Sequence, residues 1–239
     1  MHSDPNFDQI ADGEPEARLR ASWETNAAAW AAAVRGGAIP SRRAGTDAAI
    51  LAACGDVRGL ATLDVGCGEG WLARELARRG AAVTGVDASE PLVAAARAAG
   101  SETYVVAGYD ALATRPALLA GPWALMVCNF ALLGDPVAPI LAALRARVAP
   151  RGRLVIQTMH PWTAAGDGPY RGGWRLETFA GFGDGFTAAM PWYFRPLHAW
   201  SAELTHAGWQ LAALDEPLHP ETERPLSLVL TAVPDERDA

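Results

Sequence analysis

The chain has 239 residues, half of them apolar and 20% charged, with a formal net charge of −7, which suits one domain with a sizeable core and a small cap. All 20 cations other than histidine are arginine, and the absence of lysine excludes Schiff-base aldolases, pyridoxal enzymes and nucleotide loops ending in G-K-[ST]. The acidic balance speaks against nucleic acid as a partner, and the sequence has neither the run of about 20 apolar residues of a membrane span nor the apolar stretch of a signal peptide at its acidic start.

Residues 1–14 are expected to be disordered, as is the tail 234–239. A helix is predicted over about 16–35, because Leu19, Trp23, Ala27, Trp30 and Val34 recur at spacings of three and four and form one apolar face. With a second helix from Pro40-Ser41 to Ala53 it makes an N-terminal helical cap, 15–57. ATLDVG (61–66) reads as a short apolar strand halted at glycines, WLARELARRG (71–80) as a helix and AAVTGVD (81–87) as a strand. Residues 89–99 form a helix opened by Ser89 and Pro91. ETYVVA (102–107) is a strand, and a short helix follows over 111–120. WALMVCNF (123–130) has no polar alternation, so it is a strand buried on both faces. A helix over 136–149 closes at Pro150 and Gly152, before the strand RLVIQTM (153–159). Strands alternating with helices mean a mostly parallel sheet with helices on both faces.

The regular pattern breaks over 161–194, which is rich in glycine, proline and aromatic residues. An irregular stretch of that length is commonly a lid or binding loop. Regular structure resumes with a helix over 196–207 and strands over 209–216 and 225–233, which are placed to pair antiparallel at the sheet's edge. Cys54, Cys67 and Cys128 are odd in number and widely spaced, so neither a disulfide framework nor a metal site is expected, and the reduced cytoplasm is the natural compartment.

The chemistry is concentrated at Leu63-Asp64-Val65-Gly66-Cys67-Gly68-Glu69-Gly70, where a strand runs into three glycines at alternate positions and a helix begins at once. Glycines there admit positive φ and close ligand approach, and the helix N-terminus favours electron-rich ligand atoms. The dinucleotide fingerprint reads G-x-G-x-x-G; here the third glycine comes one place early and Asp64 sits inside the strand. A carboxylate beside the loop repels a pyrophosphate and suits an ammonium group. Asp87 ends the second strand, where an acid accepts ribose hydroxyls. Asp110 follows the third strand and Asn129-Phe130 the fourth.

These residues resemble the class I S-adenosylmethionine-dependent methyltransferases: LDVGCGEG the glycine motif, VTGVDAS the acidic second-strand motif, YDAL the adenine side, and CNFALL with VAPRGRLVIQTMHP the fourth- and fifth-strand region. The leading helices and the HPW…GGW…PWYFR segment resemble a subgroup of small bacterial members of unassigned substrate. The resemblance implies an α/β, three-layer Rossmann-like fold with seven strands, mostly parallel with an antiparallel edge strand, occupying 58–233 with an aromatic lid insertion at 161–194. It implies S-adenosyl-L-methionine as cofactor. Gly66, Gly68 and Gly70, with Cys67 filling the turn, pass close to its methionine and ribose. Asp64 holds the ammonium, Asp87 the ribose hydroxyls, Ala88 and Asp110-Ala111 flank the adenine, and Asn129 and Phe130 lie near the sulfonium. Arg42, or its neighbour Arg43, pairs with the methionine carboxylate.

For the acceptor side the expectation is a small molecule, planar or partly cationic, of aromatic or heterocyclic type, methylated on oxygen or nitrogen. Trp162, Tyr170, Trp174 and Trp192 would be its walls, with His160 as base and Tyr193 as a weaker candidate. The aromatic run reads equally as a satellite core, and His160 equally as a loop-orienting hydrogen-bond partner. A nicotinamide-dependent oxidoreductase and a non-catalytic binder of the same cofactor remain as alternatives, and the sequence leaves the oligomeric state open.

Overall fold

The computed structural model describes residues 15–119 and 121–235; the expectations for 1–14 and 236–239 lie outside them. Helix α1 (Pro15–Arg35) is followed by a π-type turn (Arg42–Thr46) that passes directly into α2 (Asp47–Cys54). The alternating run is β1 (Ala61–Val65), α3 (Trp71–Arg78), β2 (Ala82–Asp87), α4 (Glu90–Ala99), β3 (Thr103–Val106), α5 (Tyr109–Thr114), β4 (Trp123–Asn129), α6 (Ala138–Arg145) and β5 (Val148–Met159). It continues with α7 (Pro161–Ala165), β6 (Gly173–Glu177), β7 (Met190–Phe194), α8 (Leu197–His206), β8 (Trp209–Asp215) and β9 (Ser227–Pro234).

Seven strands form one sheet in the order β3-β2-β1-β4-β5-β9-β8. Pairing is parallel as far as β5, and β9 runs antiparallel to both β5 and β8, so β9 is the reversed strand and the edge strand β8, paired only antiparallel, points the same way as β5. The chain moves outward from β1 to β3, then returns to place β4 on β1's other side. That reversal leaves a crevice at the carboxyl ends of β1 and β4, where ligands bind in open α/β sheets.

Strand alternation feeds two cores. Met126, Cys128, Leu154, Ile156, Leu228 and Leu230 pack on one face with α6 and α8, while Leu125, Val127, Val155 and Val229 pack on the other with α2, α3 and α4. This is why β4 reads as an unbroken apolar run. Ser89 caps α4, its Oγ accepting from the Leu92 N–H at 3.4 Å.

The structure shifts several boundaries. Helix α5 is shorter than the expected 111–120: it ends at Thr114, and a 3₁₀ turn follows over Pro116–Leu119, because proline lacks the donor and restricts the residue before it. The strand expected from 153 begins at Val148, and α6 already ends at Arg145. Pro150 and Gly152 do not close a helix; they sit where the β4–β5 register slips between Trp123 and Leu125, and a bulge accommodates both. Pro234 does not begin a tail but pairs with Trp209 at the end of β9. Among the described residues no helix is long and apolar enough to cross a membrane.

The 161–194 segment is not an open loop. Its β6 and β7 pair as a separate antiparallel hairpin, which packs Met190, Trp192 and Phe194 with Phe179, Leu19 and Leu133 in a third apolar cluster. Polar groups join it to the cap. Asn26, buried on α1, donates through Nδ2 to the Ala188 carbonyl at 2.7 Å and accepts at Oδ1 from the Thr187 and Ala188 N–H groups at 3.0 and 3.3 Å. Ser22 Oγ donates to the same carbonyl at 3.0 Å.

Truncating Asn26 would leave the Thr187 and Ala188 N–H groups without this acceptor, while the Ala188 carbonyl keeps the Ser22 hydroxyl. Asn26→Ala is therefore expected to lower unfolding stability by about 1–3 kcal/mol, measured by urea denaturation, with Asn26→Asp losing the Nδ2 donor and faring no better.

Candidate functional site

The glycine loop is shaped by both φ and packing. Gly66, Gly68 and Gly70 have φ of 73°, 54° and 81°. A Cβ on Gly66 would stand 2.4 Å from the Ala131 Cβ, and one on Gly70 would stand 2.6 Å from Tyr104 Oη. The Gly66 and Cys67 N–H groups both donate to the Val86 carbonyl, at 2.7 and 3.0 Å, tying the loop to β2. Asp87, at the end of β2, completes that tie: its Oδ2 accepts from the Gly68 N–H at 2.9 Å and its Oδ1 from the Ser89 N–H at 2.8 Å. Glu69 is buried within the loop and bridges two arginines. Arg74 Nη2 reaches both of its oxygens at 2.9 Å, and Arg35 Nε, at the end of α1, reaches Oε2 at 2.9 Å. The cap helix is thereby ionically fastened to the glycine loop.

Above the loop lies a cavity of about 260 Å³. Its floor is the strand ends: Asp64, Gly66, Cys67, Gly68, Asp87, Ala88, Gly108, Tyr109, Asn129, Phe130 and Met159. Burial, with the Asp87 charge adding to it, pushes the Asp64 carboxyl up to about 7 against a smaller opposing effect from the Ala73 N–H. Its Oδ2 is buried and meets no protein donor, and neither does Asn129 Oδ1. Burial also raises Asp87, opposed by its N–H partners. Phe130 takes a left-handed φ of 51°, a strain that clusters at functional sites; its N–H is anchored to the Gln157 carbonyl at 2.7 Å.

The structure brings most of the expected cofactor residues together at this cavity: Asp64, Gly66, Cys67, Gly68, Asp87, Ala88, Asp110, Asn129, Phe130 and Arg42 all line it. Arg42 is held by Asp47 Oδ1 at 2.8 Å and lies over the Trp71 ring at 4.3 Å. Asp110 sits at the rim with its side chain 96% exposed, facing Arg20 at 3.9 Å. Gly70 lies behind the loop against Tyr104 rather than at the cavity wall. Ala111 turns away and packs on the core.

The acceptor side needs correction. His160, Tyr193, Trp162, Tyr170, Trp174 and Trp192 do not line the cavity. Met159 faces it, so the next residue, His160, turns elsewhere, and its Nε2 meets Glu216 Oε1 at 2.7 Å. Tyr193 and Trp174 are register partners on the outer face of the hairpin, edge to face at 5.5 Å. Trp192 is buried in the third cluster. Tyr170 accepts from the Leu197 N–H at 3.1 Å, and Trp162 is exposed beneath Arg224. The cavity walls are instead Leu19, Trp23, Trp30 and Val34 of α1, with Leu133, Phe179, Phe182 and Met190. The apolar stripe of α1 was visible in the sequence; that it roofs a cavity was not, since periodicity marks a buried face without saying what covers it.

Residues 62–152 match a family model described as a methyltransferase domain. The chain is 37% identical over 115 residues to a ubiquinone biosynthesis O-methyltransferase of Xylella fastidiosa, an alignment covering 45% of each protein. The chain thus spans about half the length of the curated relatives it matches. Among solved structures it is similar to an S-adenosylmethionine dependent methyltransferase from Mesorhizobium loti, at 26% identity and a TM-score of 0.61 over 79% of this chain and 99% of that one. It shares its fold with 1,6-didemethyltoxoflavin-N1-methyltransferase from Burkholderia thailandensis, at 20% identity and a TM-score of 0.65 over 94% and 92% of the two chains.

The raised Asp64 carboxyl has a consequence for the unliganded protein. Its folded value lies above that of the unfolded chain, so its contribution to stability is lost as pH rises towards about 7. The stability advantage of Asp64→Asn over the wild type is expected to grow from pH 5 to about 7 and then level off, followed by thermal unfolding across that range.

Proposed function

We propose that the chain is a class I S-adenosylmethionine-dependent methyltransferase, which transfers a methyl group from S-adenosyl-L-methionine to an oxygen or nitrogen of a small-molecule acceptor. The observation that carries this reading is the joint placement of Asp64 and Asp87 on the three-glycine turn. A buried carboxylate oxygen without a donor has a use for an ammonium group and none for a pyrophosphate. The same placement disfavours the nicotinamide reading.

The residues present fit the cofactor. Asp64 takes the ammonium. Asp87, already fixed by two N–H donors, keeps lone pairs on both oxygens for the ribose hydroxyls. Ala88, Gly108 and Tyr109 flank the base, and Arg42 offers its remaining N–H groups to the carboxylate. Asn129 and Phe130 border the reacting end. Bound there, the cofactor supplies a methyl carbon already made electrophilic by its sulfonium. The chain's own part is to align the acceptor and exclude water, which the α1 roof does through Trp23 and Trp30. No histidine lines the cavity among the described residues, so His160 is assigned no catalytic step.

Calorimetry with S-adenosylhomocysteine tests this directly. Binding is expected, NAD is not expected to bind, and Asp87→Ala is expected to weaken S-adenosylhomocysteine at least about tenfold. At pH 6 Asp64 is mostly protonated, its carboxyl standing at about 7. An ammonium beside it favours the ionised form, so binding should release close to one proton, read from the dependence of the heat on buffer, and Asp64→Asn should abolish the release.

A further inference from the structure

We infer that the acceptor is a primary or secondary amine, bound as its ammonium form, on an apolar aromatic body; this rests on the methyl-transfer reading above. Seven carboxylates but only two arginines line the cavity, and no lysine or histidine does among the described residues. Most of the carboxylates are already engaged. Asp47 pairs with Arg42, Asp110 with Arg20, and Glu69 with Arg35 and Arg74. Asp64 and Asp87 belong to the cofactor end. Glu16 and Glu177 remain, and neither has a cation partner among the described residues.

Both are positioned at the acceptor end by the backbone. Glu177 ends β6 directly opposite Met190 of β7, and directly opposed residues project to one face of a hairpin, so the two reach the cavity together. Its Oε1 accepts from the Phe179 N–H at 2.7 Å, leaving Oε2 for a ligand. Glu16 Oε1 accepts from the Asp135 N–H at 2.6 Å, which places the second charge beside the β4–α6 loop. Rings line the same cavity: Trp23 and Phe179 are 6.0 Å apart in an edge-to-face pair, and Phe179 is backed by Phe186, stacked at 4.6 Å. Carboxylates among aromatic faces select a cation with an apolar body and repel an anion. Asn129 Oδ1, buried and lacking a donor, supplies a further acceptor for an amine N–H.

The same groups account for the proton. An ammonium has no lone pair, so one proton passes to the Glu177 carboxylate. The freed nitrogen pair then forms the bond to the methyl carbon while the carbon–sulfur bond breaks, its electrons staying on sulfur. Positive charge moves from sulfur to nitrogen, and the product remains a cation facing Glu177.

The test uses the full chain and three compounds of one shape. S-adenosylhomocysteine binding is measured first, and its absence would overturn the methyl-transfer reading and this inference together. On the protein saturated with it, at pH 7, 2-phenylethylamine is expected to bind at least tenfold more tightly than 2-phenylethanol, and phenylacetate not measurably. Glu177→Gln should reduce that preference to threefold or less while S-adenosylhomocysteine affinity stays within twofold. Equal affinity for the three compounds, preference for phenylacetate, or no binding of any of them overturns the amine assignment and leaves methyl transfer standing. An unchanged preference in the Glu177→Gln protein removes Glu177 from the role.

Discussion

The carboxylate of Asp87 is the joint on which the rest of the site depends. It accepts one N–H from the glycine loop and one from the start of α4, so β1, β2 and two helix N-termini are fixed relative to one another by a single side chain. That geometry forces the loop through three residues of positive φ, a path only glycine follows without strain. Taking the Asp87 charge out of water is costly and is tolerated because both oxygens are hydrogen-bonded. It also raises its neighbour Asp64, and two acids held close in a buried site are groups that a cationic ligand stabilises.

The cap extends the same logic upward. Glu69 is the point at which the loop is held from above: Arg74 fastens it to its own helix and Arg35 to the end of α1. Near its middle α1 holds the segment joining the hairpin strands through Ser22 and Asn26. One helix therefore links the nucleoside end of the cavity to its acceptor end, and its side facing the cavity carries Leu19, Trp23, Trp30 and Val34. Trp30 Nε1 lies 3.6 Å from where a Cβ on Gly68 would be, so the roof comes down to the loop itself. A water-poor space between fixed dipoles is what a displacement at a charged sulfur requires of a protein.

Much of this was legible in the residues. The β–α alternation, the doubly buried β4 and the glycine loop with its two acids follow from local pattern, because strand period, turn chemistry and burial are set within a few residues. The acceptor side was not legible. Trp162, Tyr170, Trp174 and Trp192 are aromatic and adjacent to the site in sequence, yet the hairpin pairing turns Trp174 outward and Trp192 into a satellite core. Phe179 and Phe182, in the hairpin's connecting segment, take the wall positions instead. That choice depends on a register between β6 and β7 and on contacts with α1 more than 150 residues away in sequence, such as Asn26 with Ala188. His160 shows the same limit: lying at a strand's carboxyl end made it a candidate, and its partner Glu216, just past the end of β8, holds it away from the cavity.

The most direct test of the whole account is a crystal structure of the protein with S-adenosylhomocysteine. The account predicts the nucleoside over Gly66 and Gly68, both ribose hydroxyls on Asp87 with the Gly68 and Ser89 bonds retained, and the amino group within hydrogen-bond reach of Asp64 directly or through one water. A ligand lodged elsewhere, or an Asp87 side chain rotated away from the sugar, would contradict it.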